Sequence, residues 1–522
     1  MKSIFNQILL ARVYDHAVHT PLQKAESLSK ELKNHIYLKR EDLQTVFSFK
    51  IRGAYNKIAN LSKQEQAKGV ICSSAGNHGQ GVALSAKKLG IQATVVMPVT
   101  TPPIKIDAVK NFGANVVLRG DNYSEASDYC SQLASELDQI YIHPFDDPLV
   151  IAGQGTIGKE ILQDCPEVDL VFVPIGGGGL AAGVACFLKE LKPEIRIIGV
   201  EPSDSNAMTL SVRQGERIKL PHVGIFADGV AVKQVGENTF NLCRKLIDDF
   251  VEVTTDEICS AMKKNYQETR TILEPAGALS LAGMITYLRD HKIEGKNAVA
   301  INSGANLNFQ RMQFIAERAQ TGELKEQILA IHLPEERGAL TRLCRTALAG
   351  KSITEFNYRS NGKSRAVIFV GIHHDDEIDW IDLATTLKQL NYSYEDFTDN
   401  ELAKQHVRHM VGGIGADVKD EVLYRFLFPE RSNALGDFLG KLGSRWNISL
   451  FQYRSYGNDF GRVLMGLQVP PKELDEFKDF VQDLDMQAID ESENHAYKLF
   501  LQAPHQIDSQ EYVEPPHNSI DG

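Results

Sequence analysis

The sequence predicts an α/β protein followed by a smaller α+β part, and three observations carry that prediction. From about residue 38 to residue 309, strand-like apolar runs alternate with helical patterns, as in a parallel sheet covered on both faces. Several runs end directly in glycine-rich or Ser/Asn turns, where open α/β sheets present ligands at the carboxyl ends of their strands. Beyond Arg311 the pattern changes to hairpins and then repeats itself at a fixed distance. At 522 residues the chain is too long for one core and suggests about three or four domains.

In chain order, the first informative run is Ser48, Phe49, Lys50, Ile51, Arg52, Gly53, Ala54. A lysine between apolar residues is commonly a surface side chain with its head in water. If it is buried, its amine gives up its proton more readily and can form a Schiff base with a carbonyl. The strand run 69–72 leads into Ser73, Ser74, Ala75, Gly76, Asn77 and His78, and an apolar helical pattern begins after Gly81. Such a turn aims backbone N–H groups at a carboxylate, although an ordinary Ser/Asn helix cap has the same composition.

Runs 93–97 and 115–118 read as further strands. Gly153, Gly155 and Gly158 then spell the dinucleotide fingerprint GxGxxG, but residues 143–148 form a polar, proline-bearing approach in place of a strand. No acid marks a second strand end about twenty residues on, so a nicotinamide site is disfavoured. Run 170–174 leads into Gly176, Gly177, Gly178, Gly179 and Leu180. Four consecutive glycines lose much chain entropy on folding and call for close backbone approach or positive φ, which a phosphate cradle requires. Runs 196–200 and 297–302 follow, and the second leads into Ser303, Gly304, Ala305 and Asn306, with a hydroxyl at another carboxyl end.

In the C-terminal part, 327–333 reads as a strand and Leu340, Leu343, Cys344 and Ala347 as one helical face. Residues 353–358 and 366–372 read as a hairpin about Asn361 and Gly362. Pro334, Glu335, Ala339 and Leu340 recur as Pro429, Glu430, Ala434 and Leu435. Phe356, Tyr358, Arg359, Ser360, Gly362 and Gly371 recur as Phe451, Tyr453, Arg454, Ser455, Gly457 and Gly466. The shared offset argues for a duplicated βαββαβ unit. Expected boundaries are 1–320, with a smaller subdomain at about 40–150, then 325–402 and 420–502, and a polar, proline-bearing tail 503–522 predicted to be disordered.

Composition narrows the partners. Lys and Arg number 56 against 68 Asp and Glu, a net charge of −12 that repels polyanions and excludes an electrostatic footprint for nucleic acid. Seven cysteines lie scattered without a CxxC pair or a His cluster, which suits a reducing, cytoplasmic setting. The patch Ile8, Leu9, Leu10 before Arg12 is too brief for a signal sequence, and no run approaches membrane length.

An imine-forming amine, a carboxylate turn, a phosphate turn and a neutral hydroxyl form the inventory for pyridoxal phosphate acting on an amino acid. On SFKIRGA, SSAGNHGQG, GGGGL, ILEPAGA and NSGAN, the chain resembles the threonine dehydratases of the tryptophan-synthase-β-like, fold type II pyridoxal-phosphate enzymes. The resemblance implies that Lys50 is the Schiff-base lysine, with Phe49 beside it in the cofactor site. It implies that Asn77 partners the ring's 3-hydroxyl, that Gly176, Gly177, Gly178, Gly179 and Leu180 cradle the phosphate, and that Ser303 faces the pyridine nitrogen. Ser74, Ala75, Gly76, Asn77 and His78 would hold the substrate, L-threonine and also L-serine.

The duplicated unit is similar to the paired ACT-like regulatory domains of the long, biosynthetic threonine dehydratases, which open the route to isoleucine. That similarity implies a homotetramer inhibited by isoleucine, with valine opposing. Tyr358 with Arg359, and Tyr453 with Arg454, are the expected effector contacts, the arginines offering forked donors to a carboxylate. Serine racemases of this fold carry a serine where this chain has Ala75, which disfavours racemisation. They also bind a divalent metal through Glu and Asp six residues apart, whereas Glu201 here is followed by Ala207, so no metal site is expected. A serine dehydratase, a sulfhydrylase and an amino-acid sensor without catalysis are the other readings.

Overall fold

The computed structural model describes residues 2–322, 326–334, 343, 346–348, 352–357, 365–373, 377–409, 420–429, 445–454, 460–484 and 486–501. The chain divides into two compact units, the first built mainly of residues 1–323 and the second mainly of residues 324–522. The strands of the first unit are β1 (Leu22–Lys24), β2 (His35–Arg40), β3 (Val70–Ser73), β4 (Ala93–Met97) and β5 (Asn115–Leu118). They continue with β6 (Ile140–Tyr141), β7 (Leu170–Pro174), β8 (Arg196–Pro202), β9 (Asp249–Val253) and β10 (Asn297–Asn302). One sheet has the order β1-β2-β10-β7-β8-β9 and the other β5-β4-β3-β6. Apart from the β1–β2 pair, every pairing is parallel.

The strands read as unbroken apolar runs because both faces of each sheet are covered. Leu170 and Phe172 enter one core, and their neighbours Val171 and Val173 enter another on the opposite face. Likewise Val70 and Cys72 pack on one side of the smaller sheet, and Ile71 on the other. Period-two side-chain geometry divides one run between two cores.

The structure departs from the sequence-based expectation at several points. The helix predicted to begin after Gly81 begins at Asn77 (Asn77–Leu89). Gly79 and Gly81 weaken the helical pattern there, yet a Cβ at Gly79 would lie 3.1 Å from the Ser74 carbonyl, and one at Gly81 would lie 3.1 Å from the carbonyl carbon and oxygen of Lys50. Strands β1, β2, β6 and β9 were not expected. The first and third are three and two residues long, and β2 ends in Lys39 and Arg40, whose charge conceals that both are buried.

The GxGxxG glycines lie inside the helix Pro148–Asp164 and serve close packing. A Cβ at Gly153 would lie 2.6 Å from the Arg52 carbonyl oxygen, one at Gly155 2.8 Å from the Gly183 carbonyl, and one at Gly158 3.1 Å from the Val184 carbonyl. This lets Pro148–Asp164 lie flush against the helices Lys50–Ala59 and Gly179–Leu191.

A buried ion network fastens the same helices. Arg52 reaches Glu160 at 2.6 Å and Glu41 at 2.7 Å, and Lys39 reaches Glu160 at 2.7 Å, all four side chains without solvent exposure. Thr20 donates its hydroxyl to Glu41. The network joins β2 to Lys50–Ala59 and Pro148–Asp164, so the helix that starts at Lys50 is held from beneath.

The second unit contains β11 (Glu326–Pro334), β12 (Ser352–Asn357), β13 (Arg365–His373), β14 (Tyr394–Asp396), β15 (Glu421–Pro429), β16 (Asn447–Arg454), β17 (Phe460–Gln468) and β18 (Ala488–Asp490). They form two antiparallel sheets of equivalent order, β12-β13-β11-β14 and β16-β17-β15-β18. The register slips between Ile353 and Glu355 in one and between Ile448 and Leu450 in the other, the same place in each repeat. Helices Glu377–Gln389 and Leu474–Asp483 follow at corresponding positions. One core draws on both repeats, with Ile328 and Phe369 beside Leu423 and Leu464. Leu343 and Ala347 of the expected helical face are buried, whereas Leu340, Cys344, the hairpin tip at Asn361 and Gly362, and the tail 503–522 lie outside the described residues.

Replacing one member of a buried ion network strands the others without partners. Arg52→Met is therefore expected to cost about 3–5 kcal/mol, read as a fall in the urea midpoint of the full chain.

Candidate active site

Lys50 is the first residue of its helix and is half-buried. Burial brings the amine down to about 8, with the nearby Glu274 carboxylate opposing. Nζ donates to the Pro144 carbonyl at 3.0 Å and lies 5.2 Å from the centre of the Phe49 ring. The preceding loop is tied to the end of β10: the Phe49 N–H donates to the Ser303 carbonyl at 3.2 Å, and Ser48 bridges Gly304. The backbone thus brings Lys50 and Ser303 together.

The glycine turn reaches the same place from the other side. Gly178 has φ of +92°, and the helix Gly179–Leu191 starts immediately after it, with no side chain capping its first N–H groups. Those groups have no partner within the helix, so they are available to an anion. A Cβ at Gly176 would lie 2.8 Å from the Val230 Cα, and one at Gly177 would lie 2.2 Å from the Phe145 ring. A Cβ at Gly179 would lie 2.9 Å from the Phe145 carbonyl. The loop His143, Pro144, Phe145 therefore touches Lys50 through one carbonyl and the glycines through the next residue. Phe145 and Asp146 both donate their N–H groups to His143 Nδ1, and Asp146 in turn accepts from the Glu237 and Thr239 N–H groups.

Asn77 begins the helix Asn77–Leu89. Its Nδ2 donates to Glu274, and its Oδ1 accepts from Asn306 Nδ2 at 2.6 Å. Gly76 has φ of −154°, and a Cβ there would meet nothing within 4 Å, so this turn borders open space. The Gly76 N–H meets the Ser74 hydroxyl at 3.2 Å. His78 turns its ring away: Nε2 donates to the Ile142 carbonyl at 2.8 Å, and burial, then Lys50, push the imidazole down to about 3. Its Nδ1 is buried without a hydrogen-bond partner among the described residues. Ser303 is buried and donates to the Ala276 carbonyl at 3.0 Å, a neutral hydroxyl able to rotate to another acceptor.

These residues suit pyridoxal phosphate. A half-buried amine that loses its proton near neutral pH is able to attack a carbonyl carbon, and the open helix N-terminus is able to hold a phosphate. Asn77 and Ser303 offer an amide and a hydroxyl to the ring, and the buried Ser48 and Ser73 hydroxyls have no hydrogen-bond partner among the described residues. Sequence reasoning missed Glu274, which is buried between Leu273 and Pro275 at the start of the helix Pro275–Asp290. It also missed the Pro144 carbonyl and Asn306. An acid inside the apolar run of ILEPAGA was the available signal for Glu274.

Glu201, the residue weighed as a metal ligand, accepts from the Met208 and Thr209 N–H groups and the Thr209 hydroxyl at 2.6–2.9 Å. It caps the helix Ala207–Gln214, and no group of three metal-ligating side chains occurs among the described residues. Tyr453 and Arg454 close β16, while Tyr358 and Arg359 lie outside the described residues. Among the described residues no helix is long and apolar enough to cross a membrane.

Residues 13–304 match the family model of pyridoxal-phosphate dependent enzymes, and 317–407 and 412–501 match the C-terminal regulatory domain of threonine dehydratase. The chain is 49% identical over 499 residues to the biosynthetic L-threonine dehydratase of Burkholderia multivorans, spanning 95% of this chain and 98% of that protein. It is 47% identical over 497 residues to that of Escherichia coli, spanning 95% and 96%. Among solved structures, processed threonine deaminase isoform 2 of Solanum lycopersicum superposes with a TM-score of 0.60 at 51% identity, over 61% of this chain and 92% of that one. Maize serine racemase superposes with a TM-score of 0.57 at 31% identity, over 61% and 98%.

Because the neutral amine is the nucleophile, cofactor uptake by the cofactor-free chain is expected to accelerate as pH rises toward about 8 and to level off above it. The growth of visible absorbance after mixing with pyridoxal phosphate measures this. Gly177→Ala, whose methyl would strike the Phe145 ring, is expected to weaken cofactor retention by about tenfold or more, measured by equilibrium dialysis.

Proposed function

The chain belongs to the biosynthetic threonine dehydratases, which are pyridoxal-phosphate dependent lyases, and from that membership we propose how its residues carry the reaction. It dehydrates and deaminates L-threonine to 2-oxobutanoate and ammonia, the first step toward isoleucine. Bound at Lys50, pyridoxal phosphate supplies an electron sink for the pair left when the substrate's α-proton departs.

Lys50 has two tasks. Its neutral Nζ would hold the cofactor's carbonyl carbon, and the same Nζ, placed beside the substrate's Cα, would accept the α-proton. Gly176, Gly177, Gly178, Gly179 and Leu180 hold the phosphate at the N-terminus of their helix, where backbone N–H groups and the helix dipole favour an anion. Ser74, Ala75, Gly76, Asn77 and His78 hold the substrate carboxylate by backbone donors, with the open side of Gly76 giving it room.

Ser303 carries no charge, so it does not favour a protonated ring nitrogen as a carboxylate would. A neutral partner at this position would favour loss of the β-hydroxyl over transamination. Ala75 puts a methyl where a second proton-transfer group would stand, so the α-proton is handled from the Lys50 side. The same groups accept L-serine. Retention of Lys50 in this setting weighs against an amino-acid sensor without catalysis.

Isoleucine inhibits through the duplicated unit and valine opposes it, with Tyr358, Arg359, Tyr453 and Arg454 at the effector sites. The match of both repeats to a regulatory domain supports this. Inhibition requires that isoleucine bind a less active state more tightly than the active one. The working form is a cytoplasmic homotetramer.

The observation that carries the reading is the convergence of Lys50, the glycine turn, Asn77 and Ser303 on one site. Lys50→Ala is expected to lower ketoacid production from threonine by at least about a thousandfold and to abolish visible colour; retention of both would sink the assignment. Steady-state ketoacid release by the full chain is expected to fall when isoleucine is added, and Arg454→Ala is expected to lose that inhibition while keeping the uninhibited rate.

A further inference from the structure

Glu274 is a buried acid whose surroundings join Asn77, the turn at Ser303 and Gly304, and the amine of Lys50. It immediately precedes the helix Pro275–Asp290, and its N–H donates to the Gly304 carbonyl at 3.2 Å. A Cβ at Gly277 would strike that same carbonyl oxygen, so the helix start and the Ser303 turn approach more closely than a side chain there would permit. The Glu274 side chain accepts from Asn77 Nδ2.

The orientation of Asn77 follows by elimination. The Val46 carbonyl can only accept, and Asn306 Nδ2 donates to it at 2.8 Å, which fixes the Asn306 amide. The same Asn306 nitrogen donates to Asn77 Oδ1 at 2.6 Å. Asn77 must therefore turn its NH2 toward Glu274, which accepts one of its two protons and leaves the other for a ligand.

Resting on the reaction assigned above, we propose that Glu274 is a positioning residue: through Asn77 it holds an N–H toward the cofactor's ring oxygen, and its carboxylate stabilises positive charge on the nitrogen of Lys50. The groups facing Glu274 come from four elements. Lys50 stands at the start of its helix, Lys105 lies on Pro103–Asn111, Asp228 on the turn Asp228–Val230, and Arg311 on the turn Phe309–Arg311. Lys105 pairs with Asp228 at 2.7 Å, and Arg311 stands 3.7 Å from it. Burial pushes Asp228 up, but Lys105 and Arg311 outweigh that and hold it at about 2, so it is a fixed anion at working pH. Burial, then Asp228, push Glu274 up to about 7, against Lys105, Asn77 and Arg311. Its charge consequently changes near neutral pH.

The test uses the full chain loaded with pyridoxal phosphate and Glu274→Gln, which keeps an oxygen for Asn77 and removes the charge. Its visible band is expected to remain, with the pH midpoint at which the bound nitrogen loses its proton lowered by about one unit or more. Glu274→Ala is expected to show the same shift and, in addition, to retain the cofactor about tenfold less well. Glutamine is expected to rescue that loss. Asn306→Ser, which loosens Asn77 from its other side, is expected to weaken retention without moving the midpoint, and it can be read even if a Glu274 variant does not fold. An unshifted midpoint in Glu274→Gln, or a shifted one in Asn306→Ser, overturns the proposal while leaving the dehydratase reading intact. A wild-type chain that takes up no cofactor overturns both.

Discussion

A primary amine attacks carbonyl carbon only without its proton, and in water lysine keeps that proton at neutral pH. Drawing Lys50 partly out of water is the constraint on which the rest of this structure depends. An isolated buried amine would simply retreat to the surface on its flexible stem. Here the helix it begins is locked from beneath by Arg52 between Glu41 and Glu160, from one flank by the Gly153 contact, and from another by Gly81 against its own carbonyl. The Pro144 carbonyl receives the amine and the Phe145 ring fills the space left by the glycine turn, so the loop that steadies Lys50 also packs against the glycines.

The glycines show how one residue type answers different needs. At Gly178 the backbone has a positive φ, which glycine adopts without strain. At Gly177 and Gly179 the requirement is space for Phe145, and at Gly153 and Gly155 it is contact between helix backbones. A fingerprint read from spacing alone cannot distinguish these cases. The dinucleotide spelling at Gly153, Gly155 and Gly158 arises from the third need, and the four-glycine run combines the first two.

Strands whose two faces enter separate cores were legible without a structure: 93–97, 115–118, 170–174 and 297–302 coincide with β4, β5, β7 and β10. Such runs need no partner to announce themselves. Edge strands such as β1 and β9 are short or partly polar, and β2 is disguised by charges that find their counter-ions far along the chain, Lys39 at Glu160 being one case. In the site, Lys50, Asn77, the glycine turn and Ser303 stood out because each follows a strand or opens a helix. Glu274 did not, because its importance lies in what Asn77 and Asn306 do beside it, and hydrogen bonds between segments 197 and 229 residues apart leave no local pattern.

The two C-terminal repeats end in similar short helices, Glu401–Gln405 and His495–Phe500, each capped by an asparagine, Asn400 and Asn494. The two cap amides meet, Asn400 Nδ2 donating to Asn494 Oδ1 at 3.4 Å. A single hydrogen bond between twin groups cannot be symmetric, since one twin must give and the other receive. Glu491 decides which, by engaging the Asn494 nitrogen at 2.7 Å, while the corresponding position in the first repeat is the apolar Phe397. Two separate identical chains would have to share both roles. Joined in one chain, the two copies hold fixed and unequal roles at this contact, so a change at either asparagine is not equivalent to the same change at the other.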